Sequence, residues 1–206
     1  MKFSRLTLII IFLLILLVGG ILIFESSSDR QTKEEVTINV DDKIGIMKLT
    51  SSEFSHNQAI PSKYTCDGEN VNPPLAISGV PENTKSLALI MDDPDAPAGT
   101  WVHWTVWNIN PEISGIGENE TPSSASPFDE ASRLDPGFAS QGQTSFGKQG
   151  YGGPCPPSGT HRYFFKLYAL DATLSLSQSA IKEDIEKAME GHILDKSELI
   201  GLYSRK

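Results

Sequence analysis

The stretch YGGPCPPSGTHRYFFKLYALD (residues 151–171) decides how the rest of this 206-residue chain is interpreted. Its first half is a loop of glycines and prolines, and its second half enters an aromatic strand at His161. Because side chains alternate between the two faces of a strand, His161 and Tyr163 are predicted to share one face and Arg162 to lie on the other. The stretch therefore predicts a stiff loop that brings a histidine and a tyrosine to one side of a sheet.

A second stretch of the same kind lies upstream, MDDPDAPAGTWVHWTVWNI (residues 91–109). It couples an acidic, proline-containing turn to an aromatic strand that carries His103. Alternation along this strand predicts that His103, Thr105 and Trp107 share one face. Two such units, each a stiff loop followed by a strand, can build one pocket.

The pocket is predicted to combine one carboxylate, from Asp93 or Asp95, with the imidazoles of His103 and His161 and the phenol of Tyr163. Prolines in both loops restrict the backbone and remove hydrogen-bond donors, which makes a preformed wall. Histidines near a carboxylate can donate to a phosphate oxygen, and the carboxylate can accept from an ammonium group. A small phosphate-bearing or zwitterionic ligand is therefore expected.

Two other chemistries use the same residue types. Two histidines and one carboxylate can bind iron or zinc, but these residues lack the close spacing typical of metal ligands, so we expect no metal and no cofactor. The chain has no G-x-S-x-G motif, and Cys155 stands between prolines, which favours a structural cysteine over a nucleophile. A non-enzymatic site is predicted, and a hydrolase that uses His103, His161 and Asp93 is the alternative.

The charge balance argues against a nucleic-acid partner. Seventeen Lys and Arg residues stand against 26 Asp and Glu residues, which gives a net charge of -9. Nucleic acids are bound mainly through clustered basic side chains, and the chain has no basic run.

The N-terminal segment LTLIIIFLLILLVGGILIF (residues 6–24) has no charge and is long enough to cross a bilayer as a helix. It is predicted to be an uncleaved single-pass anchor, with a cleaved signal peptide, and hence a secreted protein, as the alternative. Lys2 and Arg5 precede it, which predicts a cytoplasmic N-terminus and an extracytoplasmic domain. Residues 1–24 are therefore taken as the anchor, residues 25–43 as a polar linker and residues 44–206 as the folded domain.

The domain itself is predicted to be mainly β. Runs rich in β-branched, aromatic and other apolar residues predict strands over residues 86–91, 101–109, 161–170 and 199–203, and apolar residues at helical spacing predict a helix over 179–190. Cys66 and Cys155 either form a disulfide or remain as two buried thiols, and the sequence leaves both alternatives open.

Several motifs resemble those of the phosphatidylethanolamine-binding protein family, in its bacterial and archaeal, Raf-kinase-inhibitor-like branch. They are DDPDAP followed by HW, the long motif GYGGPCPPSGTHRYFFKLYALD, and the shorter YTCDGENVNPPL and AMEGHIL, so that the resemblance spans residues 48–205. It implies an antiparallel β-sandwich-like fold with peripheral helices, and a small anion pocket for phosphate or a phospholipid head group. By position, the pocket residues of the family correspond to Asp93, Pro97, His103, Pro157, His161 and Tyr163.

The function predicted from these observations is a non-enzymatic binding protein displayed outside the membrane. A protein target is the other possibility, with the rim of the pocket contacting a protease or a signalling protein as an inhibitor. The long C-terminal helix of the eukaryotic family members has no counterpart after Tyr203, so kinase inhibition is not carried over.

Overall fold

Two β-sheets form the framework of the described part of the protein, which in this computed structural model comprises residues 46–120 and 139–205. In chain order the elements are β1 (Lys48–Thr50), β2 (Gln58–Ala59), a 3-10 turn (Ser62–Tyr64), β3 (Leu75–Ser78), β4 (Ser86–Asp93), β5 (Trp101–Ile109), β6 (Gly115–Ile116), β7 (Ser140–Gln141), β8 (His161–Leu170), α1 (Lys182–Met189) and β9 (Ile193–Tyr203).

The smaller sheet has the strand order β1-β3-β6, and the larger sheet has the order β2-β9-β8-β4-β5-β7. All pairs are antiparallel except β2 with β9, which run parallel. In the larger sheet, β4 lies between β8 and β5. This order brings the two aromatic strands of the sequence to either side of one acidic strand, and the mainly β architecture is as predicted.

The central strand β4 is buried along its whole length because both faces of the larger sheet are covered. On one face Leu87, Leu89 and Met91 pack into a core shared with the smaller sheet. On the other face Ala88 and Ile90 pack with residues of α1 and its preceding segment. A strand buried on both faces reads as a continuous apolar run, and this is the pattern of residues 86–91.

The helix predicted over residues 179–190 is present as α1, but it begins later, at Lys182. The side chain of Asp184 accepts a hydrogen bond from the backbone N–H of Ile181 at 3.1 Å, which satisfies a donor that the first turn cannot. Ile185 and Met189, four residues apart, point into the core.

Three strand predictions agree closely with the structure, and the fourth does not. β5 and β8 have the predicted bounds, and β4 extends two residues further, to Asp93. β9 begins at Ile193, well before the predicted start at Leu199. Its first half is largely solvent-exposed and polar, so it lacks an apolar pattern, and backbone pairing with β8 holds it in the sheet.

The prediction of a membrane-anchored, single-pass protein is contradicted. No helix within residues 46–120 and 139–205 is long and apolar enough to cross a membrane. Helix α1 has eight residues, which span about 12 Å against a hydrocarbon core of about 30 Å. The predicted anchor and linker, residues 1–24 and 25–43, lie outside the described residues.

Candidate functional site

A β-bulge in β5 sets the direction of His103. Met91 pairs with Trp104 and Asp92 pairs with Val102, so His103 is the extra residue on its strand. Its ring lies edge-on to the ring of Tyr163 on β8, with 5.2 Å between the centroids.

The bulge corrects the predicted facing of this strand. Trp107 packs with the residues around α1, on the face opposite to the core that contains Tyr163. The prediction that His103 shares a face with Thr105 and Trp107 is therefore wrong, because a bulge interrupts strict alternation.

Asp93 and His161 form a buried pair where β4 ends and β8 begins. The Nδ1 atom of His161 lies 2.7 Å from Oδ2 of Asp93, and the two residues are 6% and 3% exposed. The other carboxylate oxygen of Asp93, Oδ1, accepts a hydrogen bond from the backbone N–H of Asp95, with 2.8 Å between nitrogen and oxygen. Because the carboxylate accepts, Nδ1 of His161 carries a proton, and only its Nε2 remains for another partner.

His103 is held by the backbone of Gly152. Its Nδ1 lies 2.6 Å from the Gly152 carbonyl oxygen, and the N–H of Gly152 donates to the carbonyl of His103 at 2.9 Å. A carbonyl can only accept, so Nδ1 is the protonated nitrogen. Burial lowers the pKa of His103 below its ordinary value, although the Gly152 carbonyl and Asp93 act in the opposite direction. The ring is therefore neutral at pH 7, with a lone pair on Nε2.

The hydroxyl of Tyr163 is fully buried and has no hydrogen-bond partner among the described residues. Burial raises its pKa and the charge of Asp93 adds to this, while the nearby backbone of Cys155 lowers it by less, so the phenol stays protonated. Buried hydroxyls are as a rule hydrogen-bonded. The Tyr163 hydroxyl is therefore a donor that the described residues leave available.

The outer nitrogens of both histidines are open to a ligand. Within residues 46–120 and 139–205, Nε2 of His103 and Nε2 of His161 accept or donate no hydrogen bond. Both nitrogens are therefore available as partners for a ligand. The site thus combines two imidazole nitrogens with the phenol of Tyr163, whose ring contacts that of His103.

The two prolines of the predicted set lie at the surface. Pro97, in the turn after β4, and Pro157, in the loop before β8, are both exposed, whereas Pro154 and Pro156 are buried. The structure therefore brings together Asp93, His103, His161 and Tyr163, and it places Pro97 and Pro157 in the loops around them.

A disulfide joins Cys66 to Cys155 and so fastens the loop before β8 to a neighbouring loop. Two hydrogen bonds run beside it, from the N–H of Cys66 to the carbonyl of Pro154 at 3.1 Å and from the N–H of Gly153 to Oδ1 of Asn70 at 2.7 Å. The same loop supplies the Gly152 carbonyl that orients His103, so the disulfide contributes to the shape of the site.

Phe146 is a site residue that the sequence analysis missed. Its ring lies edge-on to His103 at 5.3 Å and to Trp101 at 5.5 Å, and it remains 40% exposed. It covers Gly152 so closely that a Cβ atom at that position would clash with the ring. Its segment has no periodic pattern, and no local signal indicates this packing.

Arg162 points away from the site, as predicted, but it binds the other aspartate of the turn. Its Nη2 lies 2.7 Å from Oδ1 of Asp95 and its Nε lies 2.9 Å from Oδ2, and its backbone N–H donates to Oδ2 at 3.0 Å. Of the two candidate carboxylates, Asp93 therefore faces the histidines and Asp95 clamps the turn to β8. The hydrogen bonds from Arg162 lower the pKa of Asp95 to about 2.

An Asp95→Asn variant is expected to be less stable than the wild type at pH 7, by about 1 kcal/mol, because it removes the charge from this clamp. The folded-state pKa of Asp95 is lowered, so its contribution is present above pH 4 and is lost as the pH falls towards 2. Urea unfolding at pH 7, 5 and 2.5 checks this, and a double-mutant cycle with Arg162→Gln isolates the pair. A difference in unfolding free energy that stays constant down to pH 2.5 would contradict it.

The metal alternative requires at least three ligands around one point. Among the described residues, no group of three or more His, Cys, Asp or Glu side chains is placed to hold a metal ion. The arrangement favours hydrogen bonding to a small molecule over metal coordination.

Comparison with known proteins identifies the family. Residues 50–204 match the family model described as phosphatidylethanolamine-binding protein. A UPF0098 protein of Methanothermobacter thermautotrophicus is 53% identical over 159 residues, which cover 77% of this chain and 99% of that protein. The chain therefore belongs to the phosphatidylethanolamine-binding protein family, in its bacterial and archaeal branch.

Two solved structures share the fold. A phosphatidylethanolamine-binding protein homologue from Chlamydia trachomatis is 41% identical, with a TM-score of 0.69, and the match covers 79% of this chain and 99% of that chain. YbcL of Escherichia coli, described as a member of the mammalian family, is 31% identical, with a TM-score of 0.68 and coverage of 78% and 99%.

Proposed function

We propose that this protein is a non-enzymatic binding protein whose pocket takes a small phosphate-bearing group, either a free phosphate monoester or a phospholipid head group. The observation that carries the proposal is the buried, unpartnered hydroxyl of Tyr163 beside two histidines whose Nε2 atoms are open. Membership of a family named for binding phosphatidylethanolamine supports the choice of ligand class.

The donors of the site suit phosphate oxygens. The Tyr163 hydroxyl donates, and when His161 carries both protons its Nε2–H donates outwards while its Nδ1–H donates to Asp93. Hydrogen bonds from a protonated imidazole to a phosphate are charge-assisted and shorter than neutral ones. The carboxylate of Asp93 then balances the charge of the imidazolium from its Nδ1 side.

The acceptor in the site suits a ligand that also carries a hydrogen-bond donor. Neutral His103 offers the lone pair of Nε2, whereas both oxygens of Asp93 already accept hydrogen bonds, from His161 and Asp95. An ethanolamine ammonium or a ligand hydroxyl can donate to this Nε2 atom. A zwitterion such as phosphoethanolamine therefore provides partners for both kinds of group.

Titration calorimetry with phosphoethanolamine tests the proposal. His161→Ala is expected to weaken binding at least tenfold, because the variant loses a hydrogen bond to the charged phosphate of about 1.5–3 kcal/mol. His192→Ala is the matched control: His192 also pairs with an aspartate, Asp171, at 2.8 Å, but the pair is exposed and lies beside the opposite end of β8. This variant is expected to bind like the wild type.

Two results would overturn the proposal. If the wild type does not bind, or if His161→Ala binds equally well, the pocket is not a phosphate site. Release of inorganic phosphate that His161→Ala abolishes would replace a binding protein with the hydrolase alternative. A protein target remains a prediction, to be tested by whether pocket variants still bind it.

A further inference from the structure

We infer that the pocket selects the protonated, singly charged form of a phosphate monoester, and that His103 makes this selection. The inference rests on the proposed function and chooses between its two ligand sources, because a phospholipid head group is a phosphodiester and has no P–OH group. It follows from the hydrogen-bonding roles that the fold imposes on the site.

The tautomer of His103 is fixed by the backbone. Its Nδ1 donates to the Gly152 carbonyl at 2.6 Å, and the mutual hydrogen bond from the Gly152 N–H keeps that carbonyl in place. The disulfide of Cys155 and the hydrogen bonds around it hold the same loop. The ring therefore turns its acceptor nitrogen, Nε2, towards the ligand.

The surroundings keep His103 neutral. It is 2% exposed, and the rings of Phe146 and Tyr163 both contact its imidazole. Two carboxylates of β4 act on His103: Asp93 on the same side of the sheet as His103, and Asp92 on the opposite side. The charge of each raises the pKa of His103. Tyr163 of β8 is uncharged, and burial outweighs the two carboxylates.

An acceptor in this position requires a donor from the ligand. The singly charged form of a phosphate monoester has one P–OH group, whereas the doubly charged form has none. The second ionisation of such a phosphate has a pKa of about 6, so both forms occur in the physiological range. The dianion would place an oxygen lone pair against that of Nε2, and a site built to pair with a donor rejects a ligand that lacks it.

A comparison of ethyl phosphate with ethyl sulfate distinguishes the effect of the ligand's charge from the effect of its hydrogen-bond donor. At pH 5 both are mainly monoanions of similar shape, but only ethyl phosphate carries a hydroxyl. Titration calorimetry of the wild type at pH 5 is expected to show ethyl phosphate binding at least tenfold more tightly. Between pH 7 and 8 the ratio of the two affinities is expected to fall about tenfold per pH unit, as the P–OH form disappears. Taking the ratio cancels the effect of protein groups that meet both ligands alike, so a change in the ratio reports on the P–OH group and on His103.

His103→Gln tests the residue itself. Glutamine can place either a donor or an acceptor near the position of Nε2, so the preference for ethyl phosphate at pH 5 is expected to shrink to less than threefold. A thermal melt establishes that the variant is folded, and the wild-type comparison does not depend on it.

The outcomes separate this inference from the proposed function. Equal binding of the two ligands by the wild type at pH 5, or an affinity ratio that does not change up to pH 8, overturns the inference and leaves a phosphate site in place. Failure of the wild type to bind either ligand overturns both.

Discussion

Replacing both Cys66 and Cys155 by serine is expected to lower the free energy of unfolding by about 4.5 kcal/mol. The two cysteines are 89 residues apart in sequence, and the disulfide removes the entropy of that open loop from the unfolded chain. The closed loop contains β3 to β7, and three of these strands, β4, β5 and β7, belong to the larger sheet, so the constraint acts on both sheets. Urea unfolding at pH 7 measures the change.

The wild type treated with a dithiol reductant provides the matched control for this variant. Reduction converts the disulfide to two thiols and is expected to bring the wild type to the stability of the double-serine variant, on which the reductant has no effect. A loss below about 1 kcal/mol would show that the loop is equally constrained without the disulfide. Binding of phosphoethanolamine is also expected to weaken, because Gly152 and Cys155 belong to the same loop.

Asp92→Ala is expected to destabilise the protein by about 3 kcal/mol. The carboxylate of Asp92 is fully buried on the helix side of the sheet, and it lies 2.6 Å from Nζ of Lys182 on α1 and 2.9 Å from Nζ of Lys166 on β8. Although burial lowers the pKa of Lys182, the hydrogen bond and charge of Asp92 outweigh this and raise it, so the lysine stays charged. Removing the carboxylate leaves two ammonium groups facing each other, one of them largely buried.

Two further variants define this effect. Asp171→Ala removes an exposed aspartate that pairs with His192, and its effect is expected to stay below 1 kcal/mol. The triple variant Asp92→Leu, Lys166→Met and Lys182→Met removes all three charges and is expected to recover most of the lost stability. A loss of less than 1 kcal/mol for Asp92→Ala in urea unfolding would show that the lysines reach solvent without their partner.

The predictions from the sequence succeeded where the signal is local. β5 and β8 have the expected bounds because their β-branched and aromatic residues favour strands wherever they pack. The alternation in β8, with His161 and Tyr163 buried and Arg162 exposed, also needs only the geometry of one strand.

The predictions failed where a neighbouring strand intervenes. The bulge at His103 exists only in the pairing of β5 with β4, and it turns the imidazole towards Tyr163. The first half of β9 is a strand because β8 offers it backbone partners, although its own residues show no strand pattern. In both cases the conformation depends on a contact with another strand, and the local sequence does not predict that contact.

The sequence by itself determined the chemistry of this protein: a mainly β domain in which two stiff loops lead into aromatic strands that carry histidines, with aspartates beside them. Only the tertiary structure decided which groups meet, with Asp93 on His161, Asp95 on Arg162 and the Gly152 carbonyl on His103. It also paired Cys66 with Cys155. The physical reason is that these partners are far apart in the chain, and they come within hydrogen-bonding distance only when β4 takes its place between β8 and β5.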